Sequence, residues 1–278
     1  MANLLSANFL RLHKSRLFWG LMLAALGLGG FLALSSALSA GRGGGSRSIN
    51  NILSVCSPLV ILALSAFVPL FFGAEYSDGT IRNKLVPGRP RWAVYCAGLI
   101  TSGAVSVLLC VAYLLAVFAA GAPLLALLSW DAVCLFLLGT LAAAASSCAL
   151  YLLITLNCQR RALSAAACVL LGCLMVLGGI YLRDTLCRHA GTPVGIWDEA
   201  AQRFVWQSAA ERGLYAGGVR RVVYQILYSV LPGCQAVQIN DAMAIGEAVS
   251  LRLPLYSLAV IALSTASGIA LFHKKDLK

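Results

Sequence analysis

Charge is scarce in this chain: only 11% of its 278 residues are Asp, Glu, Lys or Arg, too few to cover a soluble protein of this length. Acids are scarcer still, ten against 21 bases, and there are three histidines. His13, His189 and His273 lie far apart, and no CxxC or Cys/His zinc spacing occurs, so no metal site is read. The glycine run Gly43-Gly44-Gly45 lacks the Lys-Ser/Thr of a phosphate loop. Neither an HExxH pair nor a GxSxG elbow is present. No catalytic residue and no bound cofactor are therefore expected. A chain of this length with so little catalytic vocabulary would draw energy for any work from a partner.

Apolar residues are what the chain has in abundance. They make up 60% of it, and its mean hydropathy of +0.86 belongs to integral membrane proteins. A hydrocarbon core about 30 Å thick needs about 20 apolar helical residues to cross it. Six stretches meet that length: 17–40, 52–73, 93–119, 132–156, 162–182 and 253–272. The expected fold is an all-α polytopic membrane protein forming one transmembrane domain over 1–278. Residues 1–16 form an amphipathic segment, with Leu4, Leu5, Phe9 and Leu12 near one face and Arg11, His13, Lys14 and Arg16 around it, suited to lie on a membrane surface. Ala37-Leu38-Ser39 resembles a signal-cleavage site, but the first apolar run exceeds the 7–15 residues of a signal core, which favours a retained helix.

The net charge of +11 would point to nucleic acid in a soluble protein. Here the bases stand at the ends of apolar runs, which assigns them to anionic lipid headgroups and excludes nucleic acid as the expected partner. Placing the N-terminus inside puts Arg11, Lys14, Arg16, Arg82, Lys84, Arg89, Arg91, Arg160, Arg161, Lys274, Lys275 and Lys278 on the inner side. The short outer loops then hold only Arg42 and Arg47. Both termini are expected to be cytoplasmic, in a multi-pass protein of the cell membrane, bacterial by the resemblance given below. None of the six stretches contains Asp, Glu, Lys, Arg or His, which argues against ion-coupled transport.

Residues 183–252 form a long polar insertion, expected to be extracytoplasmic. Within it Val222-Val223, Ile226-Leu227 and Val230-Leu231 recur at helical spacing and stop at Pro232-Gly233. This reads as an interfacial or re-entrant helix rather than a seventh span. Of ten cysteines, Cys187 and Cys234 alone lie in this insertion, and a disulfide between them is a candidate if it faces an oxidising compartment. Asp198-Glu199-Ala-Ala-Gln-Arg203 imitates the paired acids and arginine of prenyl-protease-like membrane peptidases. That family sets them on a membrane helix with histidines on others, whereas no span here holds a histidine. A salt-paired surface helix is the preferred reading.

The most distinctive stretch is Glu75-Tyr76-Ser77-Asp78-Gly79-Thr80-Ile81-Arg82-Asn83-Lys84-Leu85, followed by Gly88 and Arg91. Asp78-Gly79 reads as a turn and Thr80 as the cap of a short helix over 81–85, closed by Pro87-Gly88. It resembles the loop between the second and third spans of ABC-2-type transporter permeases, which carries an acid, Gly-Thr, an apolar residue, a base and then Gly-x-x-Arg. The six spans, amphipathic N-terminal segment, long outer insertion and basic tail resemble that family in outline. The resemblance implies that residues 74–92 are a cytoplasmic coupling loop docking on a separate ATPase subunit, which binds the ATP. Its contact residues would be Glu75, Asp78, Gly79, Thr80, Ile81, Arg82 and Leu85, with Ile81 and Leu85 entering a groove and Glu75 and Arg82 pairing at its rim. It also implies a second permease copy or a sister permease, in an exporter of a peptide, lipid or drug-like compound. The alternative is a non-transporting sensor or immunity component that binds a ligand through 183–252. An intramembrane hydrolase using Glu199 and Arg203 ranks below both.

Overall fold

A computed structural model describes residues 2–41, 49–77, 90–121, 130–158, 160–189, 193–198, 203–208, 216–245 and 247–274. In chain order these form α1 (Ala2–His13), α2 (Arg16–Gly41), α3 (Ile49–Ser54), α4 (Cys56–Ser77), α5 (Arg91–Gly121), α6 (Trp130–Asn157) and α7 (Arg161–Cys187). Strands β1 (Pro193–Asp198) and β2 (Arg203–Ser208) follow, then α8 (Gly218–Val230), α9 (Pro232–Ile245) and α10 (Arg252–Lys274). Six helical segments are long and apolar enough to cross a membrane: α2, α3 with α4, α5, α6, α7 and α10. The count is seven if α8 and α9 are one bent span. By length and composition this is a multi-pass membrane protein.

The bundle is built around α4 and α6. Helix α4 packs on α5, α6, α7 and α9, and α6 also meets α10, while α2 lies outside against α5. The core is aromatic and branched, with Phe67, Phe136, Tyr95, Tyr113 and Tyr151 fully buried. Helices approach closely where one of them has no side chain: a Cβ at Gly172 would meet Ser65 and the Tyr151 hydroxyl, and one at Gly268 would meet the Tyr95 ring. Lipid-facing positions are equally legible, since Leu23, Phe31, Leu170, Leu174, Leu177 and Leu263 all point out of the bundle.

The start of α2 and the break between α3 and α4 have local causes. Ser15 stands between α1 and α2, and its Oγ accepts from the Phe18 amide at 3.4 Å, an N-cap for α2. Helices α3 and α4 are parted at Val55. A break within the membrane exposes carbonyls that lipid cannot satisfy. Here Tyr113 Oη donates to Ile52 O at 2.6 Å and Asn240 Nδ2 donates to Ser54 O at 3.2 Å. The serines and threonines inside the spans mostly donate back to their own helix, as Thr155 does to Tyr151 O at 2.6 Å.

The insertion is the region where sequence and structure part. Strands β1 and β2 pair antiparallel with Asp198 opposite Arg203, so these two ends of the expected surface helix stand in strands. Val194, Ile196 and Trp197 in β1 and Phe204, Val205 and Trp206 in β2 are β-branched or aromatic, the residue types that favour strands, and they prevail over the helical composition of the connecting residues. The expected helix near Val222–Leu231 is present as α8, strongly amphipathic and without a buried residue. At Leu231 the chain turns through 88° into α9, started by Pro232 at a position where its missing N–H costs nothing. Helix α9 is buried along most of its length and packs on α3, α4, α6 and α7. The 14 residues Pro232–Ile245 of the polar insertion are thus part of the bundle.

The candidate disulfide is not formed: Cys187 and Cys234 are both free thiols. Cys234 is buried and donates to Met175 O at 3.6 Å, whereas Cys187 ends α7. Twelve residues of helix separate Met175 from Cys187, about 18 Å at 1.5 Å per residue, far beyond the roughly 6 Å between Cα atoms that a disulfide spans.

Candidate functional site

The resemblance directs attention to the end of the bundle where α4 finishes and α5 begins. Of the expected contact residues, Asp78, Gly79, Thr80, Ile81, Arg82 and Leu85 lie outside the described residues, as does Glu199. Glu75 is described and stands in the last turn of α4.

Helix α1 builds the rest of this site. Its Leu4, Asn8 and Leu12 recur every four residues and are buried, while Phe9, Leu10, His13 and Lys14 are exposed. Asn8 Nδ2 donates to Thr101 Oγ1 of α5 at 3.3 Å, and Thr101 Oγ1 donates in turn to Ala97 O at 2.7 Å. Arg11 lies seven residues after Leu4, on the same face. Its guanidinium donates to the Glu75 carboxylate and to the Phe71 carbonyl. It also sits over the Phe71 ring at 4.2 Å. Phe71 is held by a stacked Phe67 at 5.1 Å and an edge-on Phe72 at 5.0 Å between centroids. One cation thus closes an ion pair, a carbonyl and a ring face together, which only a planar guanidinium can do.

The pairing has an electrostatic logic. A carboxylate in the last turn of a helix meets the negative end of the helix dipole. Glu75 is also nearly removed from solvent, its side chain 2% exposed against 35% for Arg11. Arg11 offsets both penalties. Glu75 was expected at the exposed rim of a docking loop; instead its carboxylate is turned inward and fastens α1 to α4. The sequence places Arg11 among the bases flanking the apolar face of residues 1–16 and on the positive inner side, without pairing it with Glu75. The available signal was a single base on the face marked by Leu4, Asn8 and Leu12.

A second polar cluster occupies the opposite end, around the α8–α9 bend. Gln235 Nε2 donates to Ser229 O at 2.7 Å, and its Oε1 accepts from Ser257 Oγ of α10 at 2.6 Å. Arg183 Nε pairs with Asp241 at 2.6 Å, and Tyr228 Oη lies 3.5 Å from the same carboxylate. Arg183 and Asp184 belong to the end of α7, which continues to Cys187 rather than stopping at 182. Every one of these contacts joins two helices, which makes the cluster a structural fastening. Among the described residues no group of three His, Cys, Asp or Glu side chains could hold a metal ion. Neither a protein-family model nor a curated protein matches the chain.

Proposed function

We propose that this chain is the membrane-spanning permease subunit of an ATP-driven ABC-2-type transporter. It would export a peptide, lipid or drug-like compound, paired with a second copy or a sister permease, with ATP bound and hydrolysed by a separate ATPase subunit. The observation that carries this reading is the Arg11–Glu75 clamp, three residues ahead of the Asp78-Gly79-Thr80-Ile81 stretch. A force applied to the segment 78–89 enters α4 and α1 together, because the last turn of α4 is fastened to α1. The core spans α4 and α6 would receive it directly, through their shared contact surface. The scarcity of ionisable groups inside the spans supports an external energy source.

The test is co-purification from mild detergent of the wild-type chain beside a variant carrying Arg82→Glu and Ile81→Asp. A soluble ATPase that accompanies the wild type and is lost from the folded variant supports the proposal. A folded wild-type chain with no ATPase partner, in membranes from its own cell, overturns it. The sensor reading places a ligand in 183–252, but α9 commits much of that region to the bundle core.

A further inference from the structure

A cavity of ≈ 260 Å³ lies beside the Arg11–Glu75 clamp, lined by Arg11, Lys14 and Arg161 together with Ser15, Leu17 and Phe71 among others. Three bases from two distant parts of the chain meet here, and no acid among the described residues lines the cavity. Glu75 compensates Arg11. Lys14 and Arg161 are exposed, and no ion pair to either occurs among the described residues. Among the described residues, two of the three positive charges lining the cavity are therefore uncompensated. Arg161 opens α7, whose N-terminus has no side-chain cap, adding the positive end of a helix dipole.

The depth of the cavity identifies its occupant. Trp19 and Trp92, both about half exposed, stand at this end of α2 and α5, where indoles mark the membrane–water boundary. Trp19 Nε1 donates to His13 O at 2.9 Å, holding the α1–α2 corner at that level. Exposed Phe9 and Leu10 on α1 add apolar surface suited to the acyl boundary. Half of the lining residues are apolar: Leu17, Leu70, Phe71 and Ala74. A freely soluble anion would need no such wall, whereas a lipid presents phosphate above and glycerol ester and chain below.

We infer that this cavity binds the phosphate headgroup of an anionic phospholipid through Lys14, Arg161 and the outer edge of Arg11. The inference stands on the cavity itself and does not require the transporter reading. Bound lipid would bridge α1, α4 and α7 at the clamp.

The experiment uses the full chain in mild detergent, incubated with phosphatidylglycerol, with phosphatidylcholine, or with phosphatidylglycerol plus millimolar inorganic phosphate, and read by native mass spectrometry. Retention of one phosphatidylglycerol per chain, little phosphatidylcholine and no displacement by phosphate is the expected result. Lys14→Gln should lower retention about fivefold, and Lys14→Gln with Arg161→Gln about 25-fold, from roughly one headgroup–charge interaction each. Arg252→Gln, at the other end of the bundle, should leave retention unchanged. Lys14 is exposed at the end of α1, so the single variant remains informative even if the double variant is unstable. Equal retention of the two lipids, or unchanged retention in Lys14→Gln, overturns the site. Displacement by inorganic phosphate overturns the lipid as its ligand.

Discussion

Removing the Arg11 guanidinium tests how α1 is held. In Arg11→Ala the Glu75 carboxylate stays buried without its cation, next to the negative end of α4. Breaking a buried pair from one side costs about 3–5 kcal/mol. Because Arg11 is a third exposed, water screens the pair and the figure falls to about 2–3 kcal/mol. Loss of the contact with the Phe71 ring adds roughly 0.5–1 kcal/mol. The sum, about 3 kcal/mol, corresponds to a roughly 100-fold rise in the opening of α1. Hydrogen exchange of the amides of residues 4–13, followed by mass spectrometry in detergent, reads this directly. Arg11→Lys should fall between, since one ammonium cannot serve the carboxylate, the carbonyl and the ring at once. Adding Glu75→Gln to Arg11→Ala should restore at least half of the lost protection, because the buried negative charge that faced the guanidinium disappears. Wild-type exchange in Arg11→Ala would refute the clamp, and strictly additive effects of the two changes would refute the pairing.

Three further outcomes follow from packing and from the break in the second span. A Cβ at Gly233 would stand 2.5 Å from Met175 Cβ and 2.8 Å from its backbone carbon. Gly233→Leu should therefore prevent α9 from seating, at a cost of at least about 3 kcal/mol, seen as loss of monodisperse protein on thermal gel filtration. Tyr113→Phe leaves the Ile52 carbonyl without its side-chain donor and should lower stability by about 1–2 kcal/mol, measured as a lower thermal midpoint in the same detergent. Cys187 should react with a soluble maleimide in the folded protein, whereas buried Cys234 should react only after denaturation. Electrophoretic mobility should be the same with and without reductant.

The six apolar segments were legible in the sequence because a span needs only a long uncharged run, and Leu17–Ala40 or Ala132–Leu156 can be little else. Helix α9 was not legible. Gln235, Asn240 and Asp241 give it a polar composition, and the partners that make burial tolerable lie far away: Ser257 for Gln235, Ser54 O for Asn240, Arg183 for Asp241. A local window sees the cost of those groups and not the compensation. The hairpin was hidden for a different reason. Its strands are six residues each, and the connecting Glu199-Ala-Ala-Gln has the composition of a helix. At the candidate site the acid was recognised but its direction was not, because the period of α1 alone, and no property of the loop, places Arg11 beside Glu75.

The break at Val55 also has a bearing on how the protein is made. Ser54 receives its hydrogen-bond partner from Asn240, 186 residues later in the chain. The second span therefore emerges from the ribosome before the side chain that donates to its Ser54 carbonyl exists, and it lacks that hydrogen bond until α9 arrives. Helix α9 acts as a late closure, and a nascent chain released before residue 240 should remain a substrate for membrane quality control even though five of its spans are complete.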